Sequence, residues 1–356
     1  MLYNTAREGI KPLFQEAVKE AQHRLDSLIK PIGSLGKLER IAVQIAGITG
    51  SLINEFAKKS MIIMSADNGI WEEGFSACPQ ELTASQTLNF TQGVCGINVL
   101  ARHAGMDIRV IDIGVKSDLI HPEVIIRKIR KGTWNMAKGP AMTREEAERA
   151  IDIGLETVEE LVSQGYSLLG TGEMGICNTS TSSAILMAFT GCDASVAVGK
   201  GTGLTEAGFV HKKGAIERAL AINRPDPKDP LDVLAKVGGF DIAGLVGCYL
   251  GAAYYRVPII IDGFISASAA LVAYKLNPLT REYMIPSHSS AEPGFTLLMN
   301  ELGIDSLLYL EMRLGEGTGC PLAANLVEAA VKLMTEMATF DELSLSGDFL
   351  VDTLNS

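Results

Sequence analysis

Apolar residues recur at helical spacing near both ends of the chain. In residues 10–29 they fall at intervals of three to four, which predicts an amphipathic helix. A glycine-rich break at residues 31–36 follows, and the same spacing in residues 38–48 predicts a second helix. The segment 322–337 repeats the pattern close to the C-terminus. We therefore expect the two chain ends to pair into a small helical lobe.

Short apolar runs alternate with further helical stretches in the middle of the chain. Continuous apolar runs are typical of parallel strands that helices cover on both faces. The capping box of Thr143 and Glu146 begins one intervening helix, and Gly165 ends it. This alternation predicts an open α/β fold, in which ligands lie outside the carboxyl ends of the strands. The predicted strands that run into glycine or acidic residues include 61–64, 110–114, 166–170 and 258–263.

Charge and cysteine content narrow the class of protein. The 356 residues carry a net charge of −11 and no basic run, which argues against a nucleic-acid-binding protein. The uncharged segment between Asp241 and Arg256 spans 14 residues, fewer than the about 20 that a membrane helix needs, and predicts a buried helix. The N-terminal sequence has no apolar region typical of a secretory signal. The six cysteines lack C-x-x-C spacing, which favours a reduced cytoplasm over disulfides or a zinc site.

A G-x-G-x-x-G sequence at residues 170–175 follows one predicted strand. One interpretation is a dinucleotide-binding loop, but Asp193 precedes the next predicted strand, residues 195–198, instead of ending it. Glu173 inside the loop would also repel a pyrophosphate. A tight packing turn is a second interpretation. A third is a backbone cradle for one phosphate, with Glu173 holding a sugar hydroxyl.

Two further glycine-rich segments offer candidate chemistry. Residues 198–204, with Lys212 downstream, would suit phosphate recognition after a strand, or would form a solvated surface loop. Glu316 lies between glycines just before the helix that Pro321 begins. A simple favourable interaction with the helix dipole would explain an acid there. The flanking glycines favour a substrate-facing base instead, because they remove bulk around one carboxylate.

Two other segments carry aromatic or nucleophilic side chains. Trp71 and Phe75 would line a pocket for a flat ring, with Gln86 as an orienting hydrogen bond, although such aromatic residues more often belong to the core. In residues 286–294, Ser, His and Glu occur together, but no G-x-S-x-G elbow exists and the spacing carries no triad information. We expect His288 to be a loop histidine at the sheet edge.

Taken together, six segments resemble the family of nicotinate-nucleotide:dimethylbenzimidazole phosphoribosyltransferases, which act in cobamide lower-ligand synthesis. They follow the family's order and span nearly the whole chain. The combination is specific, although each piece alone is a weak signal. The segments are KPIGSLGKLER (30–40), SADNGIWEEGFSACPQELTASQ (65–86), GEMGICNT (172–179), KVGGFDIAGLVGCYLGAAYYRVPIIIDGF (236–264), IPSHSSAEPG (285–294) and MRLGEGTG (312–319).

The resemblance implies a Rossmann-like parallel sheet with helices on both faces. It implies a helical lobe of residues 1–30 with 330–356 beside a large domain of residues 31–329. The implied reaction moves 5-phosphoribose from nicotinate mononucleotide to an aromatic base, releases nicotinate and inverts C1′ to an α-glycosidic bond. A homodimer, or a heterodimer with a homologous subunit, is implied as well, with small-molecule substrates and neither metal nor cofactor.

Site roles follow from the resemblance by motif position. Glu316 is implied as the general base, which would take the incoming base's proton while the ribose develops oxocarbenium character. The implied ribose-phosphate or nicotinate contacts are Glu173, Gly175, Lys212, Ser290, Arg313 and Gly315. The implied pocket for the aromatic base includes Phe75, Cys78, Gln86 and Leu314.

Two positions depart from the family's usual pattern. Asn68 stands where the family often has His, and Cys78 where many members carry Ser or Tyr. Both lie in the segment that would hold the base, so the acceptor stays open between dimethylbenzimidazole, a purine and a phenolic such as phenol or p-cresol. Two alternatives to the transferase also stay open. One is an NAD(P)-dependent oxidoreductase that uses residues 170–175, and the other is a non-catalytic partner of an active homologue.

Overall fold

A computed structural model describes residues 2–201 and 203–345. These residues form one sheet that helices flank. The strands are β1 (Lys59–Ala66), β2 (Met106–Gly114), β3 (Val124–Ile126), β4 (Leu168–Met174), β5 (Ile259–Ile261) and β6 (Met284–Pro286). The α-helices are α1 (Leu2–Gly9), α2 (Gln15–Ser27), α3 (Lys37–Thr49), α4 (Leu82–Thr91), α5 (Gly96–His103), α6 (Arg144–Ser163), α7 (Asn178–Thr190), α8 (Ala194–Ala197), α9 (Glu206–Asn223), α10 (Pro230–Val237), α11 (Phe240–Tyr254), α12 (Phe264–Leu276), α13 (Phe295–Leu302) and α14 (Gly319–Glu336). Short 3₁₀ helices cover Gly69–Glu73 and Pro278–Tyr283.

The six strands form a parallel sheet in the order β3-β2-β1-β4-β5-β6. This order reverses direction between β1 and β4, as in doubly wound nucleotide-binding folds. Every residue of β1 is buried, which a central strand covered on both faces requires. The predicted Rossmann-like α/β fold is therefore confirmed. The two edge strands, β3 and β6, are not predicted by the sequence, because three residues are too short for a distinct apolar run.

Strand β4 differs from its prediction in a way that matters for the site. The strand continues to Met174, so the first five residues of the G-x-G-x-x-G sequence lie inside the sheet. Their glycines serve close packing: a Cβ on Gly170 would lie 2.5 Å from Met61 Sδ, and one on Gly172 would lie 2.5 Å from the Glu316 carbonyl oxygen. The predicted strand at 195–198 is wrong, since Ala194–Ala197 form the short helix α8.

The helices near the chain ends meet beside the sheet. Arg24 of α2 donates a 2.9 Å hydrogen bond to the Met337 carbonyl, just after α14. The N–H of Ile29 donates to Ala338 O at 3.0 Å, and that of Phe340 to Ser27 O at 3.1 Å. The helix predicted at 10–29 covers only Gln15–Ser27, since residues 10–14 are not helical, and residues 2–9 form the separate helix α1.

The division into two domains stays a prediction. Helix α1, which the prediction assigns to the helical lobe, binds the large domain: the N–H of Tyr3 donates to Asp152 of α6 at 2.7 Å. Residues 346–356 of the predicted lobe, together with Met1, lie outside the described residues.

The uncharged segment after Asp241 is helix α11, buried as predicted from Phe240 to Ala253. Glycines let it approach α6 closely, since a Cβ on Gly154 would overlap the Gly244 carbonyl oxygen. In the described part of the chain, we find no helix with both the length and the apolar character needed to span a membrane.

Candidate active site

A cavity of about 360 Å³ opens at the carboxyl ends of β4, β5 and β6. This is where a fold with this strand order places its ligand. The cavity brings together side chains from segments that lie far apart in the sequence. Of the eleven residues that the resemblance implies, the following ten line it: Phe75, Gln86, Glu173, Gly175, Lys212, Ser290, Arg313, Leu314, Gly315 and Glu316.

Glu316 lies in a loop that turns sharply just before α14. Its φ is +63°, and the flanking Gly315 and Gly317 have φ values of +85° and +92°. Left-handed backbone of this kind is costly for a residue with a side chain. The side chain that it presents to the cavity is 8% exposed. The glycines on either side of Glu316 therefore leave room around its carboxylate and also allow the left-handed backbone of the loop.

Gln86 of α4 is the nearest polar partner of this acid. Its Nε2 donates a 2.6 Å hydrogen bond to Glu316 Oε1. Asn89, one turn along α4, donates to Gln86 Oε1 at 3.1 Å and so orients the amide. Burial raises the pKa of Glu316, while the Gln86 hydrogen bond and the backbone N–H of Ile97 lower it. The balance is a carboxyl group whose pKa lies above its ordinary value.

Asp262, directly after β5, anchors the same loop. Its Oδ1 accepts from the Gly319 N–H at 2.7 Å, and its Oδ2 accepts from the Gly317 N–H at 3.1 Å. His288 Nδ1 lies 3.8 Å from Asp262 Oδ1. Burial raises the pKa of Asp262, and the neighbouring imidazole of His288 opposes this. His288, predicted as a loop histidine at the sheet edge, follows the edge strand β6, is buried at 2% exposure and lines the cavity.

A second pair of acids lies at the end of β4. The Asn178 amide bridges them, with a hydrogen bond to Glu173 and one of 3.0 Å to Asp241 Oδ2. Burial and the nearby charge of Asp241 raise the pKa of Glu173 to about 8. Burial raises the pKa of Asp241 to about 6, against the Asn178 hydrogen bond. At neutral pH Glu173 is therefore largely protonated and can donate a hydrogen bond as well as accept one.

A cationic region forms another part of the cavity wall. Lys212 of α9 is 2% exposed, and its Nζ donates 2.9 Å hydrogen bonds to Thr179 Oγ1 and to the Gly199 carbonyl. Burial lowers the pKa of this ammonium group. Arg313 lies at the cavity and is exposed. The buried Ser180 hydroxyl has no hydrogen-bond partner among the described residues and also faces the cavity.

The remaining wall is apolar. Phe75 is 7% exposed and meets the His211 ring edge-on, with the ring centroids 6.1 Å apart. Leu82, Leu204 and Leu314 line the cavity beside it. A flat ring bound against these side chains would reach Gln86 and Glu316, which line the same cavity.

Three residues of the segment 65–86, namely Asn68, Trp71 and Cys78, lie outside the cavity lining. Cys78 does not line the cavity, and its carbonyl accepts from the Trp71 indole N–H at 3.0 Å. Trp71 therefore fixes this loop from outside and does not form a ring pocket. Asn68 is also absent from the cavity wall, because it is buried behind Gly175, where a Cβ would lie 2.8 Å from Asn68 Nδ2. The cavity residue near Cys78 is Cys177, which directly precedes α7 and has a φ of +76°.

The sequence analysis missed Asp262, Asp241 and Asn178 as site residues. The signal for Asp262 was present, since an acid that ends a buried strand is a candidate at this edge of the sheet. Nothing in the sequence predicts that Asp241, 68 residues after Glu173, shares one amide with it. Among the described residues, no three or more His, Cys, Asp or Glu side chains are grouped so as to hold a metal ion.

The dinucleotide hypothesis finds no support in this geometry. A dinucleotide fingerprint needs a glycine loop at a helix N-terminus. Here Gly170 and Gly172 lie in β4, and α7 begins only at Asn178.

The parallel sheet has a cavity at the carboxyl ends of its strands, and buried acids and a buried lysine line it. This arrangement is typical of an α/β enzyme that binds an anionic substrate. Residues 10–344 match the family model described as "Phosphoribosyltransferase". The class is thus a phosphoribosyltransferase, an enzyme of the glycosyltransferase type.

Curated relatives narrow the class. Over 353 residues, the chain is 54% identical to the nicotinate-nucleotide–dimethylbenzimidazole phosphoribosyltransferase of Clostridium tetani, with 99% of this chain and 97% of that protein covered. It is also 54% identical to the protein of the same name from Ruminiclostridium cellulolyticum, with 97% and 98% covered. The crystal structure of CobT from Thermus thermophilus is similar, with a TM-score of 0.89, 40% identity, and 93% of this chain and 99% of that chain covered. This chain belongs to the nicotinate-nucleotide–dimethylbenzimidazole phosphoribosyltransferase family.

Proposed function

We propose that this enzyme transfers 5-phosphoribose from nicotinate mononucleotide to 5,6-dimethylbenzimidazole. The observation that carries the proposal is the position of Glu316. It is a buried acid with a raised pKa, and it shares one cavity with a buried lysine and an apolar wall. The names of the relatives in Clostridium tetani and Ruminiclostridium cellulolyticum support this donor and this acceptor.

The cationic region suits the 5-phosphate of the donor. Lys212 and Arg313 supply positive charge, and Ser290 supplies a hydroxyl. The ribose would lie along Gly175 and Gly315, where the absence of side chains leaves room. Glu173, protonated below about pH 8, would hold a ribose hydroxyl or the nicotinate carboxylate by donating its proton in a hydrogen bond.

The chemical step follows from the charges of the reactants. The C1′–N bond of the donor breaks, and its electron pair returns to the pyridinium nitrogen, so nicotinate leaves with a neutral ring. The ribose carbon develops positive charge, and the unprotonated benzimidazole nitrogen attacks it from the opposite face. That gives the α-glycosidic ribotide. The second benzimidazole nitrogen then loses its proton to Glu316. A general base contributes about 10²–10⁴-fold to such a step. No metal is needed to neutralise the leaving group, because it is not a pyrophosphate.

The apolar wall suits the flat ring system of dimethylbenzimidazole. Phe75 and Leu314 provide flat apolar contact, and Gln86 is held beside Glu316 by Asn89. The reason to consider a phenolic acceptor was the altered pair Asn68 and Cys78, and neither side chain lines the cavity. We therefore assign dimethylbenzimidazole as the acceptor, with the relatives' names as support.

The variant Glu316→Gln tests the role of the base. We expect kcat for nicotinate release to fall by about 10²–10⁴-fold, while the Kd for nicotinate mononucleotide stays within about threefold. Glu311→Gln is the matched control, because Glu311 also has left-handed backbone, with φ +55°, and is exposed outside the cavity. Full activity of Glu316→Gln would show that another group takes the proton.

The acceptor is tested by offering dimethylbenzimidazole, adenine, phenol and p-cresol with nicotinate mononucleotide. Mass spectrometry then identifies the ribotide. We expect dimethylbenzimidazole to have the highest kcat/KM. A higher kcat/KM with a phenol would overturn the acceptor assignment and leave the donor assignment intact.

The assembly is a proposal of its own. We propose that the purified chain is active as a homodimer. Its own cavity holds Glu316, Glu173 and Lys212, so a homologous subunit is not needed to supply these groups. Light scattering would give the mass of the assembly, and a turnover assay on the same fractions would give its activity. A purified chain that turns over only after a homologous subunit is added would support the heterodimer instead.

A further inference from the structure

We infer that Asp262 is a positioning residue for Glu316: its carboxylate fixes the loop that presents the base to the cavity. The inference rests on the proposed function, because it assigns Asp262 a part in the same reaction. Asp262 does not act on the substrate in this account. It acts through the backbone on either side of the base.

Both carboxylate oxygens of Asp262 are committed to this loop. One accepts from the Gly317 N–H at 3.1 Å and the other from the Gly319 N–H at 2.7 Å. The two donors follow Glu316 by one and three residues. Asp262 itself is 3% exposed, so water does not compete for these hydrogen bonds.

The loop needs such an anchor because its backbone is strained. Three successive residues, Gly315, Glu316 and Gly317, have positive φ. A non-glycine residue in this region is strained and persists only when surrounding contacts hold it. The loop also packs tightly on the sheet, since a Cβ on Gly317 would lie 2.5 Å from Met61 Cε and 2.9 Å from the Thr171 carbonyl oxygen.

The anchor is itself held in place by buried hydroxyl groups. The N–H of Asp262 donates to Ser266 Oγ at 3.1 Å. Ser266 Oγ lies 2.6 Å from both Thr171 Oγ1 and Tyr249 Oη. These three side chains come from β4, α11 and α12, so the network ties the anchor to the centre of the fold. Asp262 can therefore hold the base at a fixed point relative to β4.

The variant Asp262→Asn breaks the anchor with little change of volume. An amide has one acceptor oxygen, so its NH₂ group must face either the Gly317 or the Gly319 N–H. Two donors that face each other push the loop away from its position. A displacement near 1 Å at a reacting group costs about 10²-fold in rate. We expect kcat to fall by about 10²-fold and KM for nicotinate mononucleotide to stay within about threefold.

Asp112→Asn is the matched control. Asp112 lies near the carboxyl end of β2 and is 0% exposed. It accepts a backbone N–H, from Val115 at 2.9 Å, and pairs with Lys128 at 3.0 Å, but it does not line the cavity. Both variants are expected to lose thermal stability, and only Asp262→Asn to lose kcat. An unchanged kcat in Asp262→Asn, or equal kcat losses in the two variants, would overturn the inference.

The double variant Asp262→Asn/Glu316→Gln separates positioning from general damage. If Asp262 acts through Glu316, Asp262→Asn lowers kcat at most about threefold further once the base is gone. A further loss near 10²-fold, or one that abolishes the residual rate, would show that Asp262 acts independently. The failure of the proposed function is distinguishable, because in that case the wild-type enzyme would release no nicotinate and Glu316→Gln would change nothing.

Discussion

The Gln86 side-chain amide donates a 2.6 Å hydrogen bond to the Glu316 carboxylate, joining α4 to the loop before α14. The two residues are 230 positions apart in sequence. The hydrogen bond opposes burial, which by itself raises the pKa of Glu316. Gln86 therefore sets how much of the base is ionised at a given pH, in addition to any contact with the acceptor.

Gln86→Leu removes this hydrogen bond and keeps the side chain's approximate volume. Hydrogen bonds to charged groups contribute about 1.5–3 kcal/mol, so the loss favours the protonated acid. We expect the rising limb of the kcat–pH profile to move to higher pH by about one unit. Gln92→Leu, on the exposed C-terminal end of α4, is the control and leaves the profile unchanged. If the rising limb of the kcat–pH profile does not move in Gln86→Leu, Gln86 does not determine the pKa of Glu316.

Lys212→Met tests the phosphate end of the cavity. The loss of a charge-assisted hydrogen bond costs about 1.5–3 kcal/mol, which corresponds to about 10–100-fold in affinity. We expect KM for nicotinate mononucleotide to rise by that factor. Lys213→Met is the control, because the Lys213 ammonium lies 4.2 Å from the Phe209 ring centroid and does not line the cavity. Equal effects of the two substitutions would point to the general positive charge of α9 instead of a specific contact.

The sequence predicted the four central strands of the sheet because buried parallel strands leave continuous apolar runs. It predicted the start of α6 correctly, since the Thr143 hydroxyl accepts the Glu146 N–H at 3.1 Å and the capping box forms. It misplaced the end of β4 because glycine usually marks a turn. In β4, Gly170 instead makes room for the Met61 side chain and Gly172 for the Glu316 backbone, so contacts distant in sequence override the local signal.

The site was predictable wherever a motif carried the reactive group, as for Glu316 and Lys212. The partners of those groups were not predictable. Asp262 reaches Gly319 across 57 residues, and only the order of strands in the sheet brings them together. For Cys78, the sequence indicated the correct segment but not which of its side chains face the cavity. Phe75 lines the cavity and Cys78 does not.

Glu173→Gln tests the protonation state of the second acid pair. An unfolded glutamate has a pKa near 4.5, and the folded group has a pKa of about 8. Between these values the native state holds a proton that the unfolded state has released, so the free energy of unfolding falls as pH rises. Asp241 contributes a similar loss only up to about pH 6. We expect wild type to lose stability between pH 6 and 8 and Glu173→Gln to lose much less.

Urea denaturation at pH 6, 7 and 8 measures this difference. Glu81→Gln, at an exposed position before α4, should keep the wild-type dependence on pH. Parallel curves for wild type and Glu173→Gln would mean that Glu173 is ionised throughout this range, and its role as a hydrogen-bond donor to the substrate would fail.

Gly172→Ala tests the contact between β4 and the loop of the base. The added Cβ would lie 2.5 Å from the Glu316 carbonyl oxygen and 3.0 Å from its carbon, and both are backbone atoms that cannot rotate away. The loop must move, which costs about 1–3 kcal/mol of stability and displaces the carboxylate. We expect a lower Tm together with a fall in kcat of about 10²-fold, the loss associated with a displacement near 1 Å. Gly139→Ala, where a Cβ meets nothing within 4 Å, should leave both quantities unchanged. A normal kcat in a destabilised Gly172→Ala enzyme would show that the base tolerates movement of its loop, and the close approach of β4 would then serve stability alone.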